Sequence, residues 1–248
     1  MAKHNPGDVL SCDWNPVIGC RRYSAGCAHC WYLDGIFPWQ RRLGNIPAGI
    51  DPTASYAFPG RLCAKSLKPK NGIVGIVQHG DLFYDAHTDA LIHRVLDLVD
   101  EVAPTKRVTP KYVLWTKRAA RMAAILAERY PAGLPPYLAA SISVEDKASL
   151  PRIDELKAFK GVKILVLEPL LEGLSLRGKL KGLSWVILGS ETGADARPLN
   201  PDWARRIRDE VTQAGIPFFI KQLGASHKVQ ERELDGVSWS QFPAGFVK

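Results

Sequence analysis

Cys20, Cys27 and Cys30 stand within eleven residues, in the spacing Cys-x6-Cys-x2-Cys. Thiolates this close can converge on one metal centre, because the two-residue gap bends around the metal and the six-residue loop brings the first sulfur back. The spacing is neither that of the bacterial ferredoxins nor that of paired zinc knuckles, and no second C-x2-C occurs in the chain. A structural tetrahedral zinc would need a fourth ligand, from Cys12, Cys63 or His29. A four-iron cluster held by three cysteines leaves one iron open to a substrate or cofactor, so that three ligands are enough. Plain buried thiols are the remaining alternative, and ligand count and spacing favour the cluster.

Such a loop needs a scaffold. Short β-type runs at 15–18, 73–78, 112–115, 137–142, 162–167, 185–188 and 217–220 alternate with amphipathic stretches, which predicts an α/β fold. Several runs are almost wholly apolar, as strands covered on both faces are. Leu91, Ile92, Val95, Leu96, Val99 and Val102 recur at helical spacing within 88–102, and Asn200-Pro201 opens a second helix that Gly215 ends. The proline- and glycine-broken segment at about 41–71 reads as an irregular insertion, and 223–248 as a short tail packing back on the body. No linker divides the chain, so 1–248 reads as one domain with its core at about 12–222.

Almost every apolar run ends in polar residues: His79-Gly80-Asp81, Thr116-Lys117-Arg118, Ser143-Val144-Glu145, Glu168, Ser190-Glu191 and Lys221-Gln222. In a partial or near-complete (β/α) barrel the carboxyl ends of the strands meet at one mouth, where ligands bind. Charged residues recurring at that phase are candidate site residues, set against the plain alternative that strand ends simply become solvated. Lys117, Arg118, Arg121 and Lys221 could meet phosphate groups there. Arg21, Arg22, Arg41 and Arg42, with Trp39, make a basic and aromatic patch suited to stacking and backbone contact, or else a solvated face. Gly189 to Gly193 permits close backbone approach around Ser190 and Glu191 but lacks the spacing of a dinucleotide fingerprint.

The formal charge of +8 suits a polyanionic partner, nucleic acid or nucleotide, though many soluble proteins are mildly basic with nothing bound. With 46% hydrophobic residues the composition is that of a globular domain, neither disordered nor collagenous. No apolar run is long enough to cross a bilayer or to act as a secretory leader, so no membrane association and a cytoplasmic location are expected. Five cysteines, an odd number confined to the first 63 residues, fit metal chemistry better than a disulfide framework.

The segment from Gly19-Cys20 to Cys27-Ala28-His29-Cys30-Trp31-Tyr32 resembles the cluster loop of radical S-adenosylmethionine enzymes, with the first gap three residues longer than their usual C-x3-C-x2-C. The whole chain resembles the phage-type three-cysteine-motif proteins, a radical-SAM-like family. The matching pieces are WNPVIGC at 14–20, GDLF at 80–83, LWTKR at 114–118, SISVED at 141–146, LEPLL at 167–171, WVILGSETG at 185–193 and PFFIKQLG at 217–224. The resemblance implies a barrel of the radical-SAM type, a [4Fe–4S] cluster on Cys20, Cys27 and Cys30, an external electron donor, and reductive cleavage of S-adenosylmethionine to a 5′-deoxyadenosyl radical. It implies Asp81 as the contact to the cofactor's amino group and Ser143 and Glu145 as ribose or carboxylate contacts; Ser190 and Glu191, in the glycine-flanked turn, are further candidate cofactor contacts. Trp31 and Tyr32 stack near adenine or cap the barrel. A phage protein would work in the cytoplasm of a bacterial host, and a nucleobase or nucleotide is the expected substrate, with Lys117, Arg118 and Lys221 touching it. The competing expectation is a non-catalytic zinc or iron–sulfur protein that binds nucleic acid.

Overall fold

A computed structural model describes residues 2–3, 9–67, 72–105, 110–225 and 231–246. Seven parallel strands follow one another in chain order across a single curled sheet, a half-barrel: β1 (Cys12–Trp14), β2 (Ile73–Ile76), β3 (Lys111–Thr116), β4 (Leu138–Ser143), β5 (Val162–Leu167), β6 (Trp185–Gly189) and β7 (Phe218–Gln222). Residues Ala2–Lys3 pair antiparallel along the free side of β1. Because each strand pairs with the next in sequence, every crossover moves the same way, and all seven carboxyl ends meet on one rim.

The strands read as apolar runs because both faces are buried. Outward, Val74, Leu114, Ala140, Leu165, Leu188 and Ile220 pack under α2 (Asp89–Val102), α3 (Ala119–Arg129), α4 (Arg152–Leu156) and α5 (Pro201–Gln213) in one continuous core. Inward, Ile73, Val113, Ala139, Ile164, Trp185 and Phe219 meet Val9, Leu10 and Phe246, which close the concave side at the amino ends of the strands. Trp185 is wholly buried, edge-on to Phe219 with ring centres 5.8 Å apart and close to Phe242 and Phe246. Burying one such side chain contributes about 1.5–3 kcal/mol.

The helices start where the sequence places them. Thr88 caps α2, its hydroxyl accepting from the Leu91 N–H at 3.2 Å, and Asn200 caps α5, accepting from the Asp202 N–H at 2.9 Å. The first strand differs from expectation. The sheet uses Cys12–Trp14, while of residues 15–18 only Val17–Ile18 pair, in a separate ladder with Tyr56–Ala57. Pro16 has no N–H to give a ladder, so the apolar run around it is not one strand. β2 stops at Ile76 because Val77 takes a φ of 55°, outside the extended region. The insertion at 41–71 holds a short ladder strand and one 3-10 turn at Ala64–Ser66; its last residues, 68–71, lie outside the described residues. In the tail, Glu233–Leu234 and Val237–Ser238 form a small hairpin, and Ser240 bridges to Phe219. Among the described residues no helix is long and apolar enough to cross a membrane.

Candidate functional site

The chain leaves β1 through Val17–Ile18 and reaches the rim at Gly19, which bridges to Gly80 just beyond β2. Only glycine fits there: Gly80 has a φ of 138°, and a Cβ on it would stand 2.8 Å from the Gly19 carbonyl oxygen. The cysteine loop then crosses the mouth, turning once through a 3-10 helix at Ala25–Cys27. It ends where the Cys30 sulfur accepts the Leu33 N–H at 3.5 Å and caps a π-helical turn, Trp31–Ile36, that runs into α1 (Phe37–Arg42). Beneath this segment Ile18, Tyr32, Phe37, Ile46 and Phe58 form a satellite core that ties the insertion to the loop.

Three carboxylates at strand ends hold the loop, each with an arginine. Asp81, 5% exposed, takes the Thr116 hydroxyl at 2.8 Å and the Arg118 guanidinium at 3.0 Å, and Arg118 reaches on to the Cys20 sulfur at 3.6 Å and the Arg21 carbonyl at 3.4 Å. Glu145, fully buried after β4, pairs with Arg152 at 2.8 Å and accepts the Ser24 hydroxyl. Glu191 after β6 holds Arg197 through two side-chain bonds and the backbone N–H, and it meets His29 Nδ1 at 3.0 Å; Arg197 donates to the Ala25 carbonyl at 2.9 Å. Tyr23 lies between two of the clamps, with the Arg118 and Arg152 guanidinium carbons 4.8 and 5.4 Å from its ring centre. Burial alone would raise the Glu191 carboxyl, but Arg197 and His29 outweigh it and bring it down to about 2.

Below the loop lies a cavity of about 480 Å³, within the range of about 300–1,000 Å³ that holds one small ligand. Cys27 and Cys30 open onto it, as do Trp31, Tyr32, Trp115, Ser143 and Ser190. Its floor carries Glu168, which takes the Lys221 ammonium at 2.7 Å and the Gln222 amide at 2.8 Å. Burial pushes the Glu168 carboxyl up, and Lys221, Gln222 and Lys117 together push it further down, below its ordinary value. Lys117 also lines the cavity, and no described carboxylate lies within ion-pairing distance of it. Ser24, Arg152 and Arg197 were not singled out by their sequence context, whereas Glu168 and Gln222 stand among the strand-end polar residues that it marks.

Burial, with Asp81 adding to it and Arg118 opposing, pushes Cys20 up to about 12, and burial also raises Cys30. Among the described residues no three His, Cys, Asp or Glu side chains converge where one ion would sit. Cys12 lies in the outer core on β1, raised by burial to about 11, and Cys63 donates to the Gly60 carbonyl at 3.6 Å in the insertion.

The sequence-derived candidates thus divide. Ser143, Ser190, Lys117, Lys221, Cys27 and Cys30 line the cavity, and so does Glu191, though Arg197 and His29 occupy its oxygens. Asp81 and Glu145 are turned to the clamps, so their carboxylates are committed before any cofactor arrives. The expected phosphate rim is also largely engaged. Arg118 is 3% exposed and bound to Asp81; Arg21 pairs with Asp85, Arg22 with Asp34 and Arg121 with Asp89, while Arg41 donates to the Ile50 carbonyl. Opposite charges brought close by the fold neutralise one another, which a count of basic residues cannot anticipate.

A family model described as a protein of unknown function (DUF5131) matches residues 9–243, and the chain belongs to that family. No curated protein and no solved structure matches it.

Proposed function

We propose that the protein is an iron–sulfur enzyme of the radical S-adenosylmethionine type, with the cluster on Cys20, Cys27 and Cys30 and the cofactor in the cavity beneath. The observation that carries this reading is the cysteine loop itself, fastened by three buried carboxylates, each paired with an arginine, across the mouth of a parallel half-barrel, with two of its thiols opening onto a ligand-sized cavity. The donor set suits such a centre. A single tetrahedral zinc asks for convergence at about 2.3 Å per sulfur, whereas an iron–sulfur cluster takes one thiolate per iron and spreads its ligands.

The cavity also suits the cofactor. S-adenosylmethionine carries an amino-acid zwitterion at one end and a purine at the other; the floor offers Lys117 for a carboxylate, and the wall offers Trp31, Tyr32 and Trp115 for a flat ring. Ser143 and Ser190 stand beside these groups as hydroxyl partners. In this role Asp81, Glu145 and Glu191 orient the loop and do not touch the cofactor. Bound together, cluster and cofactor supply one-electron reductive cleavage of a carbon–sulfur bond, with the electron drawn from an external donor.

Anaerobic purification followed by iron, sulfide and zinc analysis, and then by assay for 5′-deoxyadenosine released from S-adenosylmethionine, tests the reading. About four irons and four sulfides per chain with 5′-deoxyadenosine formed would sustain it. Stoichiometric zinc with no cleavage would replace it with the non-catalytic, nucleic-acid-binding alternative.

A cavity that holds one small molecule leaves the substrate at the mouth, where Trp31 is 45% exposed. We place a nucleobase of a nucleotide or nucleic acid there, on the net charge of +8. Since most rim arginines are already paired, log affinity for single-stranded DNA or RNA should fall with log salt at a slope of about 2 or less, at roughly 0.7 per phosphate contact. No binding at low salt to either would remove nucleic acid as the substrate.

A further inference from the structure

Arg118 does more than fasten the loop. Its guanidinium is 3% exposed, lies 3.6 Å from the Cys20 sulfur through Nη1, and shares that same nitrogen with Asp81 at 3.0 Å. Nη2 holds the Arg21 carbonyl at 3.4 Å, and the rings of Tyr23 and Tyr84 lie 4.8 and 5.0 Å from the guanidinium carbon. Asp81 is fixed in turn by the Thr116 hydroxyl and the Phe83 N–H. Asp85 stands further out, 3.5 Å from Nε and half exposed. A guanidinium and the carboxylate paired with it are therefore locked in series beside one cysteine sulfur, out of water. Neither Cys27 nor Cys30 has a described arginine or lysine bonded to its sulfur; their contacts are the Ser24 hydroxyl at 4.0 Å and the Leu33 N–H.

We propose that Arg118 is a positioning residue that tunes the reduction potential of an iron–sulfur centre bound at Cys20, with Asp81 as the opposing charge. This inference rests on the cluster reading above. Reduction adds one electron, taken from an external one-electron donor, to the centre and makes or breaks no bond at Arg118. The added negative charge is stabilised by a cation held in a low-dielectric setting, and a hydrogen bond to the thiolate withdraws electron density from the iron, so both effects of Arg118 raise the potential. Asp81 acts oppositely by offsetting part of that charge. The two residues, partners in one clamp, should thus shift the potential in opposite directions when neutralised.

The full-length chain, loaded anaerobically with ferrous iron and sulfide, is titrated with dithionite and mediators while the reduced cluster is followed by electron paramagnetic resonance. Arg118→Gln should move the midpoint to more negative potential and Asp81→Asn to more positive, each by about a tenfold change in the reduction equilibrium, which is about 59 mV for one electron. If the pair were only a mechanical fastener, both variants would loosen the loop alike and their shifts would share a sign. Shifts of the same sign, or none, overturn the role of Arg118 and leave the cluster reading standing. Should Arg118→Gln fail to retain the cluster, Asp81→Asn decides alone, an upward shift supporting the proposal and any other result overturning it. A native chain that takes up no iron and sulfide removes the cluster reading and this inference with it.

Discussion

The two ends of the sheet are built from the same strands and held by opposite means. At the amino ends Trp185, Phe219, Val9, Leu10 and Phe246 fill the concave side, and the Lys111 ammonium enters this region over the Phe246 ring at 5.7 Å. At the carboxyl ends three buried carboxylates, each bound to an arginine, pin a loop that has almost no apolar side chain to bury. Apolar burial is strong and indifferent to direction, so it suits the end that only has to hold together. Buried ion pairs add little net stability once desolvation is counted, yet they fix geometry, and they are found where the cysteines must be placed.

That contrast can be broken most forcefully at the apolar end. Trp185→Ala should cost about 3–5 kcal/mol in urea unfolding, while iron content per folded chain stays at the native level; a parallel loss of iron would show the two ends to be coupled. At the charged end Glu145→Gln keeps the side chain's shape but removes its charge beside Arg152. It should weaken the clamp by about 1.5–3 kcal/mol, seen as roughly tenfold to hundredfold faster hydrogen exchange of amides in 20–30, with the global unfolding midpoint barely moved. Gly26→Ala is a gentler probe of the same contact, since its Cβ would stand 3.2 Å from the Glu145 side chain. A cost of about 1 kcal/mol from this crowding, again confined to the loop, is expected, and a change in the global midpoint alone would count against it.

Acid gives the finest test. The Glu191 carboxyl, lowered to about 2 in the folded chain, contributes stability that is full above its ordinary value and fades as the pH falls from about 4.5 toward 2. Pepsin cleavage within 20–30 should therefore accelerate across that window in the native chain and stay flat in Glu191→Gln. Identical profiles would show that this clamp does not hold the loop.

The scaffold was readable because its signals are local. Residues 162–167 give the observed strand end for end, and Thr88 and Asn200 announce their helices by cap chemistry that involves near neighbours alone. The strand-end positions of Asp81, Glu145 and Glu191 were legible for the same reason. Their partners were not. Arg118 lies 37 residues from Asp81, and Ser24 lies 121 from Glu145, so only the closed fold brings them together. Arg152 and Arg197 are nearer in sequence, six or seven residues away, but nothing local tells an arginine paired with a buried carboxylate from a solvated one. The first strand was misplaced because hydrophobicity was weighed ahead of Pro16, whose missing N–H decides the matter.

Strand order has a further consequence for how the molecule is made. A sheet in which every strand pairs with its predecessor can be laid down as the chain leaves the ribosome, from the first strand to the last, without waiting for a distant segment. The cysteines emerge near the start of that process, but the arginines that fasten them come at 118, 152 and 197. The nascent loop therefore hangs unlatched through most of synthesis, and its last latch closes only after the sixth strand and the turn behind it have been translated. The cysteine segment is the first part of the candidate site to be born and the last to be locked.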